Sequence, residues 1–313
     1  MLSRVAERLY WMARYIERSE NTARMVMAFS HLALDMPRHV GLSWRRMLTI
    51  TGSDALFDER YNKDDERSCV RFLLADQEHS GSIINTLALA RENVRTTRDL
   101  VPAQGWESVN ELYLFAKENL DSGLSKRGRY AYLNEVVGRC QQITGLLAGT
   151  MSHDHAYDFV RTGRNLERAD MTSRILDVGA IGLLTHTSNT PKPFEGLLWI
   201  NILKSLSAFQ MYRQHVRRRV SGAEVVHYLL QNLHFPRAVA HALTEVETAL
   251  SNLPRNEVPL RFSLQVKRHV LGAEISELMD AETLHRFIDE LQKEMAEIHG
   301  YIADTWFKLE RAD

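Results

Sequence analysis

The fold turns on Val5-Ala6-Glu7-Arg8-Leu9-Tyr10-Trp11-Met12-Ala13-Arg14-Tyr15-Ile16-Glu17-Arg18-Ser19-Glu20-Asn21-Thr22-Ala23-Arg24-Met25-Val26-Met27. This stretch has no glycine or proline and is filled with good helix formers. At ~100° per residue, Val5, Leu9, Met12, Ile16, Ala23 and Met27 fall on one face. Tyr10, Arg14, Glu17, Arg18 and Asn21 lie opposite, linked by i, i+3, i+4 and i+7 spacing. The reading is an amphipathic helix over 3–34, with its apolar stripe against a core and its charged side forming a separate surface.

Working outward, the same texture continues. Seven prolines are clustered, and 103–190 has none. No series of alternating Val, Ile and Thr marks strands. Helices are expected over 43–51, 66–100 with a break, 106–120, 130–150, 154–181, 195–219, 222–232, 236–250, 258–273 and 281–311. The segments 54–65, 186–195 and 251–259 read as loops. The fold class is therefore all-α, a large multi-helix bundle. It is expected as one domain over 1–313, in which halves 1–185 and 195–313 could be related and packed as one unit.

Composition narrows the function classes. The 313 residues are 44% hydrophobic and 25% charged, ordinary for a globular protein. Lys+Arg is 39 against Asp+Glu at 40, a net charge of −1. Nucleic-acid binding needs a marked positive excess, so no nucleic-acid partner is expected. No apolar run approaches a membrane span, so no membrane partner is expected either. The charged opening does not resemble a signal peptide, and a soluble, cytoplasmic protein is the expectation.

A charge pattern occurs twice. Residues 14–24 and 164–174 both fit Arg-x-x-Glu-Arg-x-[Glu/Asp]-x-Thr-x-Arg. This suggests two related helices. In the second copy Arg164 and Glu167 share a face with Val160, Met171, Ile175 and Val178, so they are expected to be partly buried. Buried Arg and Glu must pair, and Arg can pair a carboxylate bidentately. The two copies, or each copy and another charged helix, are therefore expected to meet in an Arg–Glu network. Three readings stay open: solvated i, i+4 pairs, a structural network, or a site for a partner or an anionic group. The candidate residues are Arg14, Glu17, Arg18, Asn21, Thr22, Arg24, Arg164, Glu167, Arg168, Asp170, Thr172 and Arg174. Arg91, Glu92 and Arg95 join them as a second charged stripe, continued by Arg98.

Other motifs carry less. No phosphate-binding glycine loop, dinucleotide fingerprint or nucleophile elbow is present. Cys69 and Cys140 read as inert thiols. His153-Asp154-His155 reads as a helix cap by Asp154 or Ser152 rather than a metal site. Glu282-x-x-His285 lacks the second copy a di-iron bundle needs. Arg213-Gln214-His215-Val216-Arg217-Arg218-Arg219 reads as the basic end of a helix, with docking to an acidic partner as the alternative. Trp199, Phe209 and Tyr212 read as core anchors.

Residues 10–24, Tyr-Trp-Met-Ala-Arg-Tyr-Ile-Glu-Arg-Ser-Glu-Asn-Thr-Ala-Arg, resemble the opening signature of the bacterial Alpha-E family. Gly163-Arg164 with Leu166-Glu167-Arg168-Ala169-Asp170 resembles its second motif. Ala90-Arg91-Glu92-Asn93 and Trp106-Glu107-Ser108-Val109-Asn110 resemble its middle, and Phe235-Pro236-Arg237-Ala238-Val239 its C-terminal signature. The likeness spans roughly 1–308 and implies an all-helical fold. Genes of the family accompany those for circularly permuted ATP-grasp proteins and transglutaminase-like peptidases. The resemblance therefore implies a non-catalytic accessory subunit of an amide- or peptide-bond-forming system. Its expected partner is an ATP-grasp ligase-like protein, with a transglutaminase-like protein as a second candidate. ATP and magnesium are expected on the partner, and no cofactor or metal on this chain. The alternatives are a stand-alone enzyme using Glu17 or Glu167, and a structural scaffold.

Overall fold

The computed structural model describes residues 3–36, 42–184 and 192–308. Among these, every regular element is helical. The chain runs through α1 (Ser3–Asp35), α2 (Arg45–Thr51), α3 (Asp54–Arg60), α4 (Glu66–Ala75), α5 (Ile83–Arg95), α6 (Ala103–Glu118), α7 (Leu120–Leu124) and α8 (Arg129–Thr150). It continues through α9 (His155–Leu184), α10 (Lys192–Ser205), α11 (Phe209–Val216), α12 (Gly222–Gln231), α13 (Val239–Ser251), α14 (Glu257–Gly272) and α15 (Ala281–Ile302). A π-helical turn, Ala303–Phe307, follows. No helix among the described residues is long and apolar enough to cross a membrane.

Local chemistry sets several boundaries. Asp65, Ser82 and Asp280 each accept a hydrogen bond from the backbone N–H three residues on, which starts α4, α5 and α15. Asp154 Oδ1 accepts from the N–H of Ala156 and Tyr157 at the start of α9, so the acidic residue of the His-Asp-His run is a cap. Gly52, at φ +63°, closes α2. The expected helix over 66–100 breaks between Asp76 and Ser82. There Asp76 Oδ1 accepts from the N–H of Glu78 and His79, and Asn85 Nδ2 ties down the carbonyls of Asp76, Gln77 and His79.

Four expectations need correction, three of them on helix boundaries. The segment 54–65 is not all loop: α3 forms because buried Phe57 anchors a turn, stacked on Tyr61 and edge-on to Phe72. The helix expected over 195–219 is two helices, since Ser207 and Arg217 adopt positive φ. Arg217–Arg219 therefore lie past the end of α11. Of the expected loop 186–195, residues 186–191 lie outside the described residues, and Lys192–Glu195 are already helical.

The largest correction concerns α1. It is not half-solvated. Tyr10, Arg14, Glu17, Glu20, Asn21 and Arg24 are buried along with Met12 and Ile16, whereas Val5 and Met27 are only partly so. The reason is its central position. α1 lies against α9, with α5, α8 and α10 around it; α9 in turn carries α13, α15 and α2. The middle of α1, enclosed by these helices, has little solvent face, unlike its ends at Arg4 and His31–Asp35, so its central charges must find partners inside the protein. One continuous apolar core includes residues of both expected halves, from Leu9 and Leu87 to Leu229 and Ile288. Trp199 and Tyr212 are fully buried in it, and Phe209 packs partly buried against it.

Candidate functional site

The two copies of the charge pattern meet where α1 crosses α9. Gly163 permits the approach: a Cβ there would lie 2.2 Å from the Tyr10 carbonyl oxygen. Each glutamate then reaches the arginines of the other copy. Arg14 Nε donates to Glu167 Oε2 at 2.7 Å, and Arg18 donates to both oxygens at 2.5 and 2.9 Å. In return Arg168 donates to both oxygens of Glu17 at 3.1 and 2.7 Å. The exchange is reciprocal, Glu17 with Arg168 and Glu167 with Arg18.

The symmetry fails at one position. By analogy with Arg14, Arg164 should reach Glu17, but Arg237 takes that place. Arg237 Nη1 donates to Glu17 Oε1 at 2.7 Å and to Asn21 Oδ1 at 2.5 Å, and its Nη2 donates to Glu20 Oε1 at 2.6 Å. Thr172 fixes this insertion by donating to the Arg237 carbonyl at 2.8 Å. Arg24 also pairs with Glu20, through Nε and Nη2, and reaches Ser207. Arg164 is left with a buried Nε that has no hydrogen-bond partner. Burial, and then neighbouring Arg168, lower its pKa.

Burial opposes ionisation of Glu17 and Glu167, but the guanidinium groups outweigh it. Arg168 and Arg237 hold the Glu17 carboxyl at about 2, and Arg18 and Arg14 hold Glu167 at about 2. Both are carboxylates at any physiological pH. Burial pushes the Cys69 thiol up to about 12 and Cys140 well above its ordinary value. Neither is an activated nucleophile.

One edge of the network opens to a polar recess of about 420 Å³. Arg18, Thr22, Glu167, Asp170, Met171 and Arg174 line it from α1 and α9. Thr51, Gly52, Ser53 and Leu56 close it from the end of α2, the α2–α3 turn and α3, and His79, Ser80 and Gly81 from the α4–α5 loop. Arg174 donates through Nε to Asp170 Oδ2 at 2.9 Å. The His79 ring stacks on Phe72 at 4.3 Å. Burial lowers its pKa to about 4, so the imidazole is neutral.

The second stripe stays apart. Arg91 donates to Asn110 Oδ1 at 2.7 Å and lies over Tyr113 and Trp106. Glu92 and Arg95 pair with each other in solvent. Arg91, Glu92 and Arg95 therefore do not join the network. They sit on α5, and the side of α5 that faces α1 is apolar and hydroxylic, as in the Ser19–Thr86 contact at 2.6 Å. Arg95→Ala is expected to leave Tm within about a degree of the parent, measured by circular dichroism.

Further sites remain local. His285 Nδ1 bonds Asp177 on α9 at 3.0 Å, so the Glu-x-x-His run is a helix contact rather than a free face. A second recess, about 700 Å³, is lined by His153, Asp154, His155, Asp158 and Asn252. Among the described residues no group of three or more His, Cys, Asp or Glu is placed to hold a metal. The residues that sequence reasoning missed are Glu20, Ser207, His79 and above all Arg237. Phe235-Pro236-Arg237 was visible as a signature, but nothing in its spacing tied it to Glu17, 220 positions away.

Burial also makes stability depend on pH. His299 hydrogen-bonds Tyr10 through Nδ1 at 3.0 Å, and burial, then Arg14, lower its pKa to about 4. His79 and His299 are neutral in the fold, while in the unfolded chain they take up protons near pH 6.5. Stability is expected to fall as pH drops from about 6.5 toward 4, with a slope approaching ~1.4 kcal/mol per pH unit for each histidine. The carboxylates Glu17 and Glu167 contribute fully above about pH 4.5 and lose that contribution as pH falls toward about 2. Urea midpoints at pH 7, 5.5 and 4.5 check this; a flat series contradicts it.

Comparison with known proteins agrees with a helical chain that carries a Glu-Arg motif. A family model named Alpha-E, described as a predicted alpha-helical domain with a conserved ER motif, matches residues 1–307. The protein Mb2597 of Mycobacterium bovis, itself uncharacterized, is 22% identical over 327 residues, covering 96% of this chain and 36% of that protein. Rv2567 of Mycobacterium tuberculosis, also uncharacterized, is 23% identical over 330 residues with the same two coverages. The chain thus spans little more than a third of the length of these relatives. No solved structure matches it.

Proposed function

Because the chain belongs to the Alpha-E family, whose mark is the Glu-Arg motif at the centre of this fold, we propose that it is a non-catalytic accessory subunit of an ATP-grasp-type system that forms amide or peptide bonds. It works in the cytoplasm beside an ATP-grasp ligase-like protein, which binds the ATP and magnesium; a transglutaminase-like protein is a second partner. The observation that carries a binding role is the arginine excess at the α1–α9 crossing. Arg14, Arg18, Arg24, Arg168 and Arg237 pair there with Glu17, Glu20 and Glu167, and Asp170 is a further negative charge near Arg14 and Arg18, so five arginines face four carboxylates. Buried positive charge beyond what carboxylates balance is unfavourable until an anionic group approaches. The recess beside Arg18 gives such a group access. The link to an ATP-grasp ligase comes from the family resemblance. The long relatives, which carry the matching region within much larger chains, agree with a domain that works joined to another.

The same electrostatics weigh against Glu17 or Glu167 as a general base. A carboxylate held at about 2 by guanidinium groups is a poor proton acceptor at neutral pH. The test is co-purification with an ATP-grasp-type ligase of the same organism, followed by ATP hydrolysis on amino-acid pools. The expected result is a stable complex whose hydrolysis requires this subunit. Absence of both complex and stimulation overturns the proposal. Amide-bond formation by this chain alone also overturns it, in favour of an enzyme.

A further inference from the structure

The polar recess is built to hold something small. Its volume lies within the range of small-molecule sites. Two of its polar atoms are buried with no hydrogen-bond partner: Thr22 Oγ1, on a residue with no exposed surface, and His79 Nε2, on a residue 5% exposed. Many helical hydroxyls in this chain satisfy themselves on a carbonyl one turn back, as Ser19, Thr86 and Thr162 do. Thr22 does not, and Ser263 on α14, away from the recess, shares its unpaired state. An unsatisfied buried hydroxyl is unfavourable by about 1–3 kcal/mol, so Thr22 and His79 together mark a place where a ligand supplies the missing partners.

The charges on the wall say what kind of ligand. Arg18 and Arg174 stand against Glu167 and Asp170, two of each sign. The Arg174–Asp170 bond uses one of five guanidinium N–H groups and one of two carboxylate oxygens, so the pair keeps both donors and an acceptor to offer. Gly52 leaves Arg174 uncovered: a Cβ there would stand 3.5 Å from its Nη1. A polyphosphate would be repelled by Glu167 and Asp170, and a simple amine by the arginines. A molecule carrying both signs a few ångströms apart satisfies all four.

We propose that this recess binds a small zwitterion of the α-amino-acid class, its carboxylate on Arg18 and Arg174, its ammonium on Asp170, and Thr22 and His79 completing the polar contacts. The arginine excess behind Arg18 favours the carboxylate at that end. This inference rests on the accessory-subunit reading only in taking the recess as the working site.

The experiment is calorimetric titration of the full chain with glycine, glutamine, glutamate and lysine, each compared with acetate, methylamine and inorganic phosphate. At least one amino acid is expected to bind at least tenfold more tightly than acetate, methylamine or phosphate. Arg174→Met and Asp170→Asn should each weaken that binding about tenfold or more, since each removes a charge-assisted hydrogen bond. Thr22→Val, nearly isosteric, should weaken it while raising Tm of the free protein, because it removes an unpaired buried hydroxyl, and Arg95→Ala should change nothing. Phosphate or acetate binding as tightly as any amino acid overturns the proposal. So does the absence of amino-acid binding, or binding indifferent to all three recess variants. No partner is needed, so a failed titration leaves the ligase complex to be judged by co-purification, and a failed co-purification leaves the titration standing.

Discussion

Glu167→Ala is expected to remove about 3–5 kcal/mol of stability, enough to lower Tm by on the order of 10 °C. Glu167 is 1% exposed at its side chain and holds Arg14, 10% exposed, together with Arg18. Without the carboxylate, Arg14 and Arg18 lose the counter-ion they share, and Asp170 is the negative charge left near both. The penalty comes from the abandoned arginines more than from the lost bonds, and this yields a second expectation. Replacing the whole group, Glu167→Leu with Arg14→Met and Arg18→Met, should recover most of the loss, because a packed apolar cluster can match a buried ion group in stability. Chemical denaturation of the three proteins decides it. A single variant within 1 kcal/mol of the parent would show that the network contributes little to folding. A triple variant as unstable as the single one would show that the arginines hold something beyond each other.

Gly163→Ala should also destabilise, by roughly 3 kcal/mol, although helix propensity alone predicts a gain of about 1 kcal/mol. The sign is decided by space. The added methyl would stand 2.2 Å from the Tyr10 carbonyl oxygen and 3.0 Å from its carbonyl carbon, both backbone atoms that cannot turn aside. The helices must separate, and separation of about 1 Å stretches every Arg–Glu bond across the crossing beyond hydrogen-bond length. Gly138 is the matched control, since nothing lies within 4 Å of a Cβ placed there. Gly138→Ala should stabilise by about 0.5–1 kcal/mol. Two alanine substitutions within helices, with opposite signs, isolate close approach from propensity. Stabilisation by both would mean that α1 and α9 are not pressed together at Gly163.

Most helices were readable because helix formation is local: periodicity, caps and the absence of proline act within a few residues. The errors fell where tertiary contact overrides local preference. Residues 54–60 looked like an acidic loop until Phe57 found Phe72 and Tyr61. The site was half legible. Glu17, Arg18, Glu167 and Arg168 could be picked out because the same pattern occurs twice, and burial of the second copy could be inferred from the apolar residues interleaved with it. Arg91 and Arg95 carried an equally good local signal and are placed elsewhere. Arg237 lay in a recognisable signature that gave no link to Glu17, and His79, a lone histidine in a short polar stretch, had no pattern to read.

By itself the sequence determined that this protein is helical, that it is nearly neutral, and that it repeats an Arg-x-x-Glu-Arg pattern. Those properties belong to neighbours along the chain. Only the tertiary structure decided that the middle of α1 is enclosed by other helices, that each glutamate answers the arginine of the other copy, that Arg237 displaces Arg164, and that the network opens beside His79. These depend on pairs of residues some 60 to 220 positions apart. Which arginine reaches a given carboxylate is set by where helices cross, and in this fold the crossing is set by one residue without a side chain, Gly163 against the Tyr10 carbonyl.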